Sequence, residues 1–149
     1  MDVIDHRLLA LLVRDGRASY QQLAREVNLS ANTVAERVRR LERDGVIRGY
    51  HAELNLEPLG RELQMVSDVR LGDHVDPQDF EQRLHEIPEV IGAMRLTGDY
   101  DFQLRMACGD RHEFEHLIDR LKEELGVREL LSRLLLHEVS FDPTRMLGG

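Results

Sequence analysis

The chain is short of the residues that staple or anchor a fold. Its 149 residues include one cysteine, Cys108, which excludes an intramolecular disulfide and a cysteine-rich zinc site. No apolar run approaches the ~18 residues of a membrane-spanning helix. The opening stretch, MDVIDHRLL, has neither the basic region nor the apolar core of a secretion signal. Together these absences make the cytoplasm the expected compartment. Lysine is nearly missing too, with Lys122 alone against 19 arginines, a trait of composition without functional weight. What remains, 42% hydrophobic and 32% charged residues, is the balance of a soluble globular protein. The length suits one ordinary domain or two small ones.

The net charge of −8 is an average that hides a division. Residues 1–55 carry 9 Arg against 8 Asp and Glu, a net of +1, whereas residues 56–149 carry 10 Arg and 1 Lys against 20 acids, a net of −9. Arg37, Arg39, Arg40 and Arg43 fall within seven residues. A locally basic element is therefore joined to an acidic remainder, and the whole-chain charge does not exclude a nucleic-acid partner.

In MDVIDHRLLALLVRDG the residues Ile4, Leu8, Leu11 and Leu12 share one helical stripe, and Gly16 supplies a stop. Ser19 and Gln22 form a capping box for a second helix, whose inner face is Leu23, Ala24 and Val27. After a tight turn at Asn28 and Leu29, Ser30 caps ANTVAERVRRLERDG, with Val34, Val38 and Leu41 inward and Gly45 at its end. Short helices joined by a turn of about three residues describe a helix-turn-helix. On the third helix Asn32, Glu36, Arg39, Arg40 and Arg43 point away from the core stripe, and Thr33 and Arg37 lie on its flanks. Arg bonds guanine, Asn adenine, and Glu accepts from cytosine, so this set suits a helix that reads a DNA groove. The next stretch, VIRGYHAELN, alternates like a short hairpin, which would place Arg48, Tyr50 and His51 against phosphates as a wing.

Pro58 and Gly60 mark a connection between domains. Beyond it, LQMVSDVRL reads as a strand and DPQDFEQRLHEI as a helix capped by Asp76 with Pro77 in its first turn. Two strands, VIGAMRL and YDFQLRMAC, flank the turn TGD. A helix then ends at Gly126, and VRELLSRLLLHEV reads as a long last strand. The order βαββαβ is the split ferredoxin-like unit. One sheet face must pack on the helices. The other is expected to carry Val66, Asp68, Arg70, Ile91, Ala93, Arg95, Gln103, Arg105, Leu131, Arg133 and Leu135. Leucines interleaved with arginines suit a self-complementary dimer interface.

One motif points elsewhere. HEFEH, residues 112–116, has the H-E-x-x-H spacing of a zinc peptidase helix, in which two histidines one turn apart hold the metal. Here the helix buries Phe114, Leu117, Ile118, Leu121 and Leu125, which turns His112 and His116 to the opposite side. A chain of this composition yields the pattern by chance about 0.03 times. No catalytic residue, metal ligand or cofactor is assigned.

DGRASYQQLAREVNLSANTVAERVRRLERDGVIRGYHAELN resembles the DNA-binding domain of the Lrp/AsnC family of feast/famine regulators. RLTGDYDFQLRM is similar to that family's effector-domain signature. The resemblance spans nearly the whole chain. It implies an α+β protein with an N-terminal winged helix-turn-helix and a C-terminal βαββαβ ferredoxin-like (RAM) domain that dimerises through its sheet. The implied organisation is a DNA-binding domain over 1–52, a linker over 53–62, a ligand-binding and dimerisation domain over 63–142, and a tail over 143–149. By match to the family, Tyr20, Gln21, Ser30, Asn32, Thr33, Glu36, Arg37, Arg39, Arg40 and Arg48 would meet double-stranded DNA at a pseudo-palindromic operator. A small effector, commonly an amino acid, would bind between dimers of a larger assembly at Leu96, Thr97, Gly98, Asp99, Tyr100 and Asp101, with Ser132. Ser132 departs from the threonine the family often carries there, so a branched-chain effector does not follow. Two other classes share features with the chain. Sirohaem decarboxylases resemble the family in both domains, but the arginine-rich helix and the form of the turn favour a regulator. A DNA-packing architectural protein would bind with a steep salt dependence and no amino-acid response.

Overall fold

The computed structural model describes residues 1–147, which divide into two compact units, Met1–Glu53 with residues 139–147 and Leu54–Glu138. The first unit is built on three helices, α1 (Val3–Arg14), α2 (Tyr20–Val27) and α3 (Ala31–Arg43). Each begins where a side chain satisfies an orphan backbone donor. Asp2 and Asp5 cap α1 reciprocally, Ser19 and Gln22 do the same for α2, and Ser30 accepts from the Thr33 N–H of α3. Asn28 closes α2 in the left-handed conformation at φ 55°, which Asn tolerates better than most residues. The three helices enclose Leu8, Leu12, Leu23, Ala24, Val27, Val34 and Val38. Residues Pro143–Leu147 form a 3-10 helix in this same unit, where Arg14 pairs with Asp142 at 3.6 Å.

The second unit is a four-stranded antiparallel sheet in the order β2-β3-β1-β4, with β1 Leu63–Leu71, β2 Val90–Arg95, β3 Phe102–Cys108 and β4 Val127–Leu134. Helices α4 (Pro77–Leu84) and α5 (Arg111–Glu123) complete βαββαβ. The core unites Val69 and Leu71 of β1, Phe102, Leu104 and Met106 of β3, and Phe80, Leu84, Leu117 and Leu121 of the helices. Phe80 and Phe102 stack at a tilt, their ring centres 5.0 Å apart. Because β-strand side chains alternate, Val66, Asp68 and Arg70 lie on the sheet face away from this core. Gln103, Arg105, Leu131 and Arg133 are their cross-strand partners or neighbours there.

The structure departs from the sequence reading in four places. VIRGYHAELN forms no strand, because a ribbon needs a second strand and none pairs with it. Tyr50 instead turns back to donate to Glu42 at 3.0 Å, and Arg48 is exposed without a wing. The last strand stops at Leu134, not Val139, close to where its partner β1 begins at Leu63; a last bond runs from Leu135 N–H to Gln64 O at 2.9 Å. Ala93 and Arg95 sit on the core side of the sheet, opposite Leu104 and Phe102, after a register shift between Val90 and Gly92. Gly92 and Met94 take the open face in their place. Finally, the compact units do not follow the ranges 1–52, 53–62, 63–142 and 143–149. Residues 54–62 belong to the sheet unit, where Arg61 bonds Glu113 and Ala107 O, and residues 139–147 belong to the helical one. The last two residues of the expected tail lie outside the described residues.

Candidate functional site

Two surfaces carry the candidate chemistry, one in each unit. On α3, a core stripe of Val34, Val38 and Leu41 turns Asn32, Glu36, Arg39 and Arg43 to solvent, all exposed. None of these four has an ion-pair partner among the described residues. Ser30 and Thr33 are occupied with each other, hydroxyl to hydroxyl at 2.8 Å, as well as through the cap. Tyr20 and Gln21, at the start of α2, are exposed. Free cations and amide groups on one helix face are what a phosphate backbone and base edges require.

Arg37 and Arg40 differ from this expectation, because they are already engaged within the unit. Arg37 Nη1 lies 2.7 Å from Asp2 Oδ2 and 2.8 Å from Asp5 Oδ1, and Arg40 Nη2 lies 2.8 Å from Asp5 Oδ2. Asp5 is buried, with 1% of its surface exposed. Burial pushes its carboxyl pKa up, but the Asp2 N–H and the two guanidinium groups outweigh that, and it stays below the ordinary aspartate value. Sequence reading missed Asp5, although the spacing Asp2-x-x-Asp5 is itself a capping pattern that could have revealed it.

The second surface surrounds the hairpin turn between β2 and β3. Leu96 N–H donates to Asp101 O at 2.9 Å and closes the turn, and Gly98 takes φ 110°, a conformation L residues rarely adopt. Asp101 serves the fold, for its N–H donates to Val69 O at 2.8 Å and its carboxylate accepts from Leu71 N–H at 2.8 Å. Leu96, Thr97, Gly98 and Asp99 are exposed. Arg70 holds the turn from β1: its Nε donates to Asp99 O at 2.7 Å and its guanidinium stands 5.2 Å from the centre of the Tyr100 ring. Glu129 joins them, 3.0 Å from Arg70 and 3.1 Å from the Tyr100 hydroxyl. That bond to a carboxylate raises the Tyr100 pKa above its ordinary value.

Beside the turn lies an open cleft of about 310 Å³, lined by Arg70, Gly72, Asp73, Asp99, Asp101 and Arg128 among others. The structure therefore brings the turn residues together with Arg70, Arg128 and Glu129, which sequence reading did not assign to it. Only the pairing register, with Arg70 opposite Glu129, brings those groups near. Ser132 is not among them. It pairs with Ser67 on the other face of the sheet, hydroxyl to hydroxyl at 2.7 Å.

HEFEH lies on the surface of α5. His112 and His116 are exposed and meet each other, Nε2 to Nε2 at 3.2 Å. Glu113, which would activate water in a peptidase, is committed elsewhere, to Arg61 at 2.8 Å and to the Gly109 N–H. The Gly109 N–H and then Arg61 hold its carboxyl below the ordinary value despite some desolvation. A carboxylate so engaged is a loop anchor, not a base.

Comparison with known proteins matches two domain types along the chain. Residues 1–42 match the AsnC-type helix-turn-helix domain and residues 64–144 the Lrp/AsnC ligand binding domain. The chain is 34% identical to the HTH-type transcriptional regulator LrpA of Mycobacterium tuberculosis, over 86% of this chain and 85% of that one. It is 31% identical to the DNA-binding transcriptional activator DecR of Escherichia coli, over 95% of each. A transcriptional regulator of Neisseria meningitidis, solved as a complex with L-Met, superposes with a TM-score of 0.87 at 29% identity, covering 97% of this chain and 95% of that one. With both domain types present in order, and with relatives this similar along most of its length, the chain belongs to the Lrp/AsnC family of transcriptional regulators.

Proposed function

We propose that this regulator binds a pseudo-palindromic DNA operator as a homodimer and responds to a free amino acid held beside the Gly98-Asp99-Tyr100-Asp101 turn. The observation that carries the effector reading is a charge arrangement. Asp99 offers an exposed carboxylate at a cleft that also contains Arg70 and Arg128. An amino acid brings an ammonium and a carboxylate, and both must be compensated when they leave water. Asp99 would take the first, and Arg128 or Arg70 the second. The Neisseria relative's complex with L-Met makes methionine the first ligand to try.

Dimerisation is proposed through the open sheet face. There Leu131 and Met94 are exposed, and Asp68 is bonded by Arg133 and by Gln103, so an apolar surface is interleaved with charges already paired. A partner copy would cover Leu131 and Met94 without having to neutralise those groups. Dimers assembling further would meet near the turn, so effector binding would shift assembly and DNA affinity reciprocally. As a DNA-binding regulator it would act in the cytoplasm; among the described residues no helix is long and apolar enough to cross a membrane.

The test is thermal melting and sedimentation with each common amino acid at millimolar concentration, for the wild type and Asp99→Ala. A ligand present at about 100 times its dissociation constant stabilises the fold by about 2.7 kcal/mol. No response to any amino acid, or a response that Asp99→Ala leaves intact, removes the effector reading.

A further inference from the structure

The four arginines of α3 do not stand alike. At 100° per residue, Arg39 and Arg43 fall within about 20° of Asn32, on the side opposite the core. Arg40 and Arg37 lie progressively round the helix, and both reach the start of α1. Asp5 receives three donors there: the Asp2 N–H at 3.0 Å, Arg37 at 2.8 Å and Arg40 at 2.8 Å. Asp2 accepts Arg37 at 2.7 Å and the Asp5 N–H at 2.9 Å. The two acids and two guanidinium groups cancel, and the positive end of the α1 dipole favours the carboxylates further. A buried acid left without these partners would be strongly destabilising. The capping box of α1 is thus also a socket for α3.

We propose that Asp5 is a positioning residue for DNA recognition: by holding Arg37 and Arg40 it locks α3 against α1 and withholds those two guanidinium groups from DNA phosphates. The proposal rests on the DNA-binding reading. Arg39 and Arg43 are then the cations of α3 that carry no ion pair among the described residues, whereas Arg40, next to Glu36 round the helix, is held by Asp5. The number of phosphates neutralised is set below the number of arginines on the helix. Sequence-independent affinity is restrained in consequence, because it grows with each phosphate contact, while the groove-facing side chains keep a fixed orientation.

The experiment uses the full chain and two duplexes, one of random sequence and one selected from a random pool by the wild type. The slope of log affinity against log salt is measured for each. A phosphate contact is worth about 0.9 in that slope. Arg39→Gln is expected to lower it by about 0.9 per protomer, and Arg40→Gln to leave it unchanged. Asp5→Asn, which takes away the carboxylate that holds Arg40 and leaves Arg37 with Asp2 alone, is expected to steepen it by about 0.9 per protomer and to narrow the preference for the selected duplex. An equal loss of slope in Arg40→Gln and Arg39→Gln overturns the proposal. So does an Asp5→Asn protein that melts earlier but binds with the wild-type slope, since that is the mark of a purely structural acid. Should Asp5→Asn fail to fold, the comparison of the two arginine variants decides alone. A wild type with no salt-dependent affinity for either duplex is a different result: it removes the DNA-binding reading itself, and the positioning role falls with it.

Discussion

At Asp5, burial and ionisation pull in opposite directions, and the partners decide which prevails. Its pKa and that of Asp2 both lie below the ordinary value of 3.8 in the folded chain. A carboxylate with a depressed folded pKa contributes stability in full above its unfolded pKa, and that contribution is lost as pH falls through the folded value. The wild type should therefore exceed Asp5→Asn in melting temperature at neutral pH, and the margin should close below about pH 4 as the clamp protonates. A margin that persists undiminished at about pH 2 would mean that charge contributes nothing there. Arg39 poses a separate question at the same scale. Its exposed side chain has no intramolecular partner among the described residues, so Arg39→Ala should leave melting unchanged while costing about 1–3 kcal/mol in DNA binding. If preference relaxes at one position per half-site, Arg39 reads a base; a uniform loss makes it a phosphate contact.

Among the elements, α3 depends on its first turn, where Ser30 satisfies the Thr33 N–H. Ser30→Ala should destabilise the helical unit by about 1 kcal/mol, seen as an earlier melt. The connection from α5 to β4 is more demanding. Gly126 has φ 75°, and a Cβ added there would stand 2.5 Å from Val75 Cγ2. Gly126→Ala should cost more than the roughly 1–2 kcal/mol of a left-handed backbone alone, whereas His112→Ala with His116→Ala on the exposed face of α5 should leave melting and DNA affinity as they were. These elements were legible in the sequence because caps, stops and apolar periodicity are local signals: Ser19, Ser30, Asp76, Gly45 and Gly126 all act where they stand. Strand pairing is not local. The β2 register depends on an irregularity at Ile91 that alternation cannot foresee, so alternation alone puts Ala93 and Arg95 on the wrong face. The turn Leu96–Asp101 was legible as a motif. Arg70 and Glu129 were not, because only the sheet brings residues so distant in sequence together. Resemblance puts Ser132 with the turn, whereas its strand parity turns it to Ser67.

For the whole molecule, the proposed dimer makes Leu131 the residue to disturb. It is 48% exposed on the open sheet face, and a charge there would be buried without a partner in a dimer but solvated in a monomer. Leu131→Glu should leave the fold intact, shift sedimentation toward the monomer and weaken operator binding, since one recognition helix cannot span two half-sites. A Leu131→Glu protein that sediments as the wild type would place the interface elsewhere. The division of the chain into units carries a further consequence, one for its synthesis. Because residues 139–147 belong with helices α1 to α3, the sheet unit is an insertion within the helical one. The three helices share a core of their own and can collapse as soon as they clear the ribosome, yet Arg14 meets Asp142 and Thr144 only after the whole sheet unit has been made. A nascent chain therefore holds its first unit open at one edge throughout elongation, and a stop codon placed after β4 would strip that edge for good while leaving both cores in place.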